Sequence, residues 1–174
     1  MIPTGHPSLP LSRTGYTPPR RPPPLTDLIR SELDDHGVLP ATFNRPEVMN
    51  AINDATIQAL RAVIARASQD DNVRTLVLTG QGHAFCAGAD LSGANPGSGG
   101  GASRFQRLDR RRGSAETVQG FADCDVPIIA AINGPTAGAG FGIACCVDIR
   151  FMAASARMGT IFAKRGIATD YGTA

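Results

Sequence analysis

Two short stretches combine small residues with backbone amides that a helix start would leave free. The first is His83-Ala84-Phe85-Cys86-Ala87-Gly88-Ala89-Asp90-Leu91. The second is Asn133-Gly134-Pro135-Thr136-Ala137-Gly138-Ala139-Gly140-Phe141-Gly142. Each follows an apolar run that reads as a buried strand, over 73–79 and 127–132, and each feeds a helix. Small residues let backbone approach a ligand. Amides in a first helical turn lack an intrahelical acceptor, and the helix dipole favours negative charge there. Two such loops side by side could aim two N–H groups at one oxygen, which is an oxyanion hole. The same glycines could serve only as tight turns. Spacing alone leaves both readings open.

Other chemistries fit these residues less well. A dinucleotide fingerprint fails because Ile143 stands at its last glycine position, and Asp148 is too near to be its ribose-binding acid. A phosphate loop would need Gly-Lys-Ser/Thr, and a nucleophile elbow would need G-x-S-x-G; neither is present. Cys86, Cys124, Cys145 and Cys146 form no C-x-x-C pair and have no histidine cluster nearby, so no metal site is expected. They read as small buried thiols in a reducing compartment. A nucleophilic Cys86 finds no histidine that sequence can pair with it, and His83 reads as solvated.

These loops need a scaffold. The 174 residues suffice for one domain, 42% of them are apolar, and no run approaches the roughly 20 apolar residues of a membrane helix. A net charge of +2 gives no reason to expect nucleic acid or a membrane as partner. The cluster Arg110, Arg111, Arg112 reads as a solvated helix face. Residues 1–30 read as a disordered proline-rich tail, with the domain over 31–174. Residues 38–43 read as a strand, with Pro40 placing it at an edge or costing it a bond. Asn53 or Asp54 can cap a helix whose apolar face is Ile57, Leu60, Ile64 and Ala67. A flexible loop is expected over 93–103 and a helix over 105–122, anchored by Phe105, Leu108, Val118 and Phe121. The second glycine-rich stretch should turn and open a helix over 143–147, followed by a strand over 149–153. Alternating strands and helices indicate an α/β domain with parallel pairing.

Three segments together carry a resemblance. Arg45-Pro46-Glu47-Val48-Met49-Asn50-Ala51 is similar to an R-P-x-x-x-N-A segment. Phe85 to Leu91 is similar to F-x-A-G-A-D-[LI], and Asn133-Gly134 through Asp148-Ile149 to N-G-x-x-x-G-x-G…D-I. In order and spacing they resemble the enoyl-CoA hydratase/isomerase (crotonase) family. The resemblance implies a crotonase-like ββα spiral that binds acyl-CoA thioesters. It implies that the amides of Ala89 and Ala139 hold the thioester oxygen and stabilise an enolate. It places Val48, Ala51, Ala87, Asp90, Leu91 and Gly138 among the adenine, pantetheine and substrate contacts. For the side chains of Asn50 and Asp90 taken alone, local capping is the expected role.

The acid/base positions depart from the family pattern. Hydratases of the family use two glutamates, and the matching positions here are Gly142 and Phe162. Neither moves a proton, so a glutamate pair holding a water is absent. The stretch Gly166-Ile167-Ala168-Thr169-Asp170-Tyr171-Gly172-Thr173 resembles the family's isomerases, which carry a catalytic aspartate where Asp170 stands. One carboxylate suffices for a 1,3-proton shift, and burial beside an acyl chain would make it a better base. Without the motif, Asp170 reads as a solvated loop carboxylate. Glu116 and Asp123 carry little weight as a second group. A non-catalytic acyl-CoA-binding chain, or an inactive fragment of such an enzyme, is the alternative reading. The resemblance further implies no cofactor beyond CoA as part of the substrate, a trimer or hexamer, and a domain that continues past position 174. The fold is therefore expected to be incomplete at its C-terminus, with an apolar face left exposed. A cytoplasmic setting is expected in the absence of a signal peptide.

Overall fold

The computed structural model describes residues 25–92, 115–166 and Tyr171. Expectations for the loop over 93–103, for Phe105, Leu108 and Arg110–112, and for Asp170 fall outside these residues. The scaffold is a five-stranded sheet. Helix α1 (Leu25–Leu28) leads into β1 (Ile29–Arg30), followed by β2 (Val38–Phe43), α2 (Asp54–Gln69) and β3 (Thr75–Gly80). After a helix over 115–122 (α3) come β4 (Ile128–Ile132), β5 (Thr136–Ala137), α4 (Ala139–Cys146), β6 (Ile149–Met152), β7 (Met158–Gly159) and α5 (Phe162–Arg165). The sheet order is β1-β2-β3-β4-β6, and β5 and β7 pair separately. All pairs are parallel except β1 with β2. The expected α/β domain with parallel pairing is therefore present.

Period-two burial explains the central strands. In β2 the residues Leu39, Ala41 and Phe43 are buried while their neighbours are partly open, and β3 repeats the pattern with Leu76, Leu78 and Gly80. Register pairs Val38 with Thr75 and Phe43 with Gly80, which brings both sets to the same face. Pro40 is tolerated because β1 reaches only Thr42 and Phe43, so the flank of β2 at Pro40 is an edge.

Helix α2 covers the sheet. Asn53 caps it: its side-chain oxygen accepts from the Thr56 amide at 2.9 Å. The buried face is Thr56, Ala59, Leu60, Val63, Ile64 and Ala67, and full burial of Leu60 alone stabilises by about 1.5–3 kcal/mol. Ile57 sits at the margin of that face rather than on it. In α3, Phe121 is buried and Val118 packs against the core.

Three expectations need correction. The folded part starts before residue 31: Leu28 and Ile29 are buried core residues, and β1 pairs with the end of β2. Two apolar side chains after a run of prolines gave too little periodicity to show this. Helix α4 begins at Ala139, four residues earlier than expected, so Gly140 and Gly142 lie inside it. At Gly140 close packing overrides the helix-breaking tendency, because a Cβ there would strike the Cys86 carbonyl oxygen. Of the four cysteines only Cys86 is buried; Cys145 is exposed and the other two are half-buried.

At the far edge, β6 is exposed along its length, with Ile149, Phe151 and Met152 open. Among the described residues no helix is long and apolar enough to cross a membrane.

Candidate active site

Strands β3 and β4 are parallel neighbours, so the loops that leave their C-terminal ends emerge side by side. Ligands of open parallel sheets bind at such ends. The first loop is pinned to the core by Phe85, fully buried, whose ring meets Phe43 edge-on with centroids 5.7 Å apart.

Two asparagines hold the same loop. Asn50 is buried, and its left-handed backbone (φ 57) is one that asparagine tolerates. Its Oδ1 accepts from the Arg45 amide, and its Nδ2 donates to the carbonyls of Gln81 and Ala84 at 3.0 and 2.8 Å. From the other side, Asn133 Nδ2 donates to the carbonyls of Gly80 and Gly82, both at 2.9 Å, and its Oδ1 accepts from the Gly80 amide. Asn50 thus adds two long-range ties to the local bond at Arg45. The partners of its Nδ2 lie 31 and 34 residues away, which no local pattern signals.

Arg45 and Asp90 close the front of the loop. Arg45 donates to an Asp90 carboxylate oxygen at 2.8 Å and to the Ala51 carbonyl at 2.6 Å. The Ser92 hydroxyl, the Arg45 guanidinium and the Ser92 amide together hold the Asp90 pKa down to about 2. The carboxylate of Asp90 is therefore spent on structure. Its Ser92 bonds are the expected local cap, and the bond to Arg45 spans 45 residues, which no local pattern signals.

The two backbone donors are exposed by how the loops pair. Ile52 forms a parallel bridge opposite Ala89, bonding the Gly88 carbonyl and the Asp90 amide, both at 2.8 Å. In such a bridge the central residue turns its own amide away. The Ala89 N–H consequently has no acceptor among the described residues. In the second loop, Cys86 bridges Thr136 and accepts from the Ala137 amide at 3.0 Å. Gly138 follows at φ +52, and Ala139 opens α4 with its N–H likewise without an acceptor among the described residues.

The loops touch where these amides lie. A Cβ on Gly88 (φ +100) would stand 2.9 Å from the Ala137 carbonyl oxygen and 3.4 Å from the Ala139 nitrogen. Gly88 must be glycine on both counts, its conformation and its neighbour. The backbone at Gly88, one residue before Ala89, thus lies against the Ala139 nitrogen at the N-terminus of an eight-residue helix. Ala139 is buried and Ala89 exposed, so this contact opens to solvent on the first-loop side.

The remaining sequence-expected residues differ in burial and in backbone partners. Gly138 is buried beneath it, and Ile161 stands 3.9 Å from where a Gly138 Cβ would be. Ala87 is half-buried, with its amide on the Met49 carbonyl, and Leu91 is exposed at 69%. Val48 is half-buried and accepts from the Ala51 amide. Gly142 is buried inside α4 and Phe162 is buried at the start of α5. Neither position presents an acid. Burial pushes the Cys86 thiol up to about 12, against a nucleophilic role. His83 is exposed, as expected. Among the described residues no three of His, Cys, Asp and Glu stand where they could hold a metal ion.

Comparison with known proteins identifies the family and the fold. Residues 34–174 match the enoyl-CoA hydratase/isomerase family model. The chain is 37% identical over 138 residues to the 1,2-epoxyphenylacetyl-CoA isomerase of Escherichia coli K12, covering 79% of this chain and 52% of that protein. It is 38% identical over 142 residues to the Mycobacterium tuberculosis protein named "Probable enoyl-CoA hydratase EchA14", covering 81% and 53%. Among solved structures, an enoyl-CoA hydratase/isomerase from Mycobacterium paratuberculosis superposes with a TM-score of 0.74 at 30% identity, covering 84% of this chain and 57% of the other. The enoyl-CoA hydratase of Bacillus anthracis gives 0.73 at 27% identity, covering 83% and 55%. The chain spans about half the length of the curated relatives it matches. By sequence and by its mixed α/β fold, the chain belongs to the enoyl-CoA hydratase/isomerase, or crotonase, family.

Proposed function

We propose that the protein acts on acyl-CoA thioesters as an enoyl-CoA isomerase, moving one proton along the acyl chain through an enolate. The observation that carries this reading is that the Ala89 and Ala139 amides have no acceptor among the described residues, while Gly88, next to Ala89, packs against the Ala139 nitrogen. A thioester oxygen between them gains charge when the C2 proton leaves. Each donor of this kind stabilises that transition state by about 3 kcal/mol.

The proton needs one carboxylate. Gly142 and Phe162 leave no glutamate pair to hold a water, which disfavours hydration. Asp170 is the base in this reading: it takes the proton from C2, the electron pair moves to the thioester oxygen, and the proton returns at C4. Gly142 and Phe162, where the resemblance puts the family's glutamates, are buried and apolar, which suits an acyl chain. Val48, Ala51, Ala87, Asp90 and Leu91 lie on the segments that would meet CoA. Asp90 serves there through Arg45 and its loop rather than as an acid.

Asp170→Asn should abolish turnover of a 3-enoyl-CoA to its conjugated 2-enoyl isomer while leaving acyl-CoA binding within about twofold. Undiminished turnover in that variant would remove Asp170 from the mechanism. A second reading, acyl-CoA binding without turnover, is favoured by the two missing glutamates. Wild-type protein that binds acyl-CoA but converts neither 3-enoyl nor 2-enoyl thioesters would establish it.

A further inference from the structure

One guanidinium reaches both sides of the bridge that presents the Ala89 amide. Arg45 Nη1 donates to the Ala51 carbonyl at 2.6 Å, and Nη2 donates to Asp90 Oδ2 at 2.8 Å. Ala51 precedes Ile52 in the chain, and Asp90 follows Ala89. The Ile52–Ala89 bridge thus lies next to both groups that Arg45 holds. That bridge stands outside the strands of the two sheets. It rests on two backbone bonds, from the Ile52 amide to the Gly88 carbonyl and from the Asp90 amide to the Ile52 carbonyl.

The grip on the first loop changes along its length. Asn50 and Asn133 hold carbonyls from Gly80 to Ala84, and Phe85 is anchored in the core. Beyond Cys86, among the described residues, Arg45 is the side chain from outside the loop that bonds it. The clamp is itself held. The Arg45 amide donates to Asn50 Oδ1, and the Arg45 carbonyl accepts from the Val48 and Asn50 amides. The Ser92 amide and hydroxyl both donate to Asp90 Oδ1, which leaves Oδ2 for Arg45. The two side chains are 17% and 11% exposed, so this pair is screened less than an ordinary surface pair. A guanidinium is planar, with its donors in a fixed fork. It therefore sets the spacing of Ala51 and Asp90 as well as drawing them together.

We infer that Arg45 is a positioning residue, whose guanidinium fixes the Ile52–Ala89 bridge and so holds the Ala89 N–H where the thioester oxygen gains charge. The inference rests on the reading of Ala89 as an oxyanion donor. An N–H stabilises such charge best within roughly 2.7–3.1 Å of the oxygen. A misplacement of about 1 Å near reacting atoms can cost about 100-fold in rate.

The test compares wild type, Arg45→Lys, Arg45→Met and Asp90→Asn in three measurements. These are the melting midpoint, kcat for a 3-enoyl-CoA at saturation, and the carbonyl band of a bound, carbonyl-labelled saturated acyl-CoA. Arg45→Met keeps an unbranched side chain and loses every donor. Its kcat should fall about 100-fold, and most of the band's shift to lower frequency on binding should vanish. Arg45→Lys keeps the charge without the fork, and should lose about tenfold in kcat and part of the shift. Asp90→Asn weakens one side of the clamp and should behave as Arg45→Lys does. A structural role alone would lower the melting midpoint and leave the band of the bound ligand in place. Folded variants with wild-type kcat and an undiminished shift would therefore overturn the inference, however far their midpoints fall. If Arg45→Met does not fold, the two milder variants decide in the same way. If wild type binds without turnover, the band alone decides. A wild-type band that stays at its free position would overturn the donor reading itself, and this inference with it.

Discussion

The two loops each contribute one amide, yet they are held in different ways. The first, from Gln81 to Ser92, is tied by side chains: Asn50 and Asn133 on its backbone, Phe85 in the core, and Arg45 on Asp90. The second, from Asn133 to Gly142, is held by absences. Gly134 lies where a Cβ would strike the His83 carbonyl oxygen, Gly140 lies against Cys86, and Gly138 faces Gly88. The first loop should fail when a polar atom is removed, and the second when a carbon is added. The pairing of the donors depends on both.

The largest effect is expected in the second loop. Gly134→Ala should cost about 3 kcal/mol or more, since the added carbon meets rigid backbone rather than a flexible side-chain end. Chemical denaturation would measure it, and acyl-CoA binding should be lost in parallel. Stability close to wild type would show that the loops can separate without penalty, and the contrast between them would fail.

A smaller loss is expected from the first loop. Asn50→Ala leaves the Ala84 carbonyl without its bond from Nδ2 and removes the bond to the Gln81 carbonyl as well. The cost should be about 2 kcal/mol, read as a lower denaturation midpoint at unchanged slope.

The smallest effect concerns Asp90 and acid. Its folded pKa of about 2 lies below the ordinary 3.8, so its bonds stabilise the fold fully above about pH 4. That contribution fades as pH falls from about 4 to about 2. Asp90→Asn should be less stable than wild type at pH 7, by an amount on the order of 1 kcal/mol, and should converge with it near pH 2. Parallel stability curves across that range would show that the carboxylate is not held as described.

The same contrast explains how much the sequence disclosed. The strands at 38–43, 75–80 and 128–132 were legible because apolar residues alternate or run together between glycine, proline and polar residues. Asn53 was legible as a cap because its partner is three residues away. The start of α4 was hidden, since glycines that read as a turn are needed to admit Cys86. The two-residue strands β1, β5 and β7 are too short to show a period. At the site, the small-residue pattern pointed to two loops that could offer amides, and the family resemblance rather than the spacing named Ala89 and Ala139. The ties that Asn50, Asn133 and Arg45 supply depend on partners 31 to 53 residues distant for the longest bonds, and no local spacing reveals those. The motif resemblance marked Arg45 and Asn50 without saying what they do.

The central claim is that the Ala89 and Ala139 amides polarise one thioester oxygen. Isotope-edited vibrational spectroscopy of a carbonyl-labelled acyl-CoA bound to the protein tests it most directly. The account predicts that the thioester carbonyl band moves to lower frequency on binding, and that Gly88→Ala, which pushes against the Ala137 carbonyl and the Ala139 nitrogen, diminishes the shift. A bound acyl-CoA whose carbonyl band stays at its free position would contradict it.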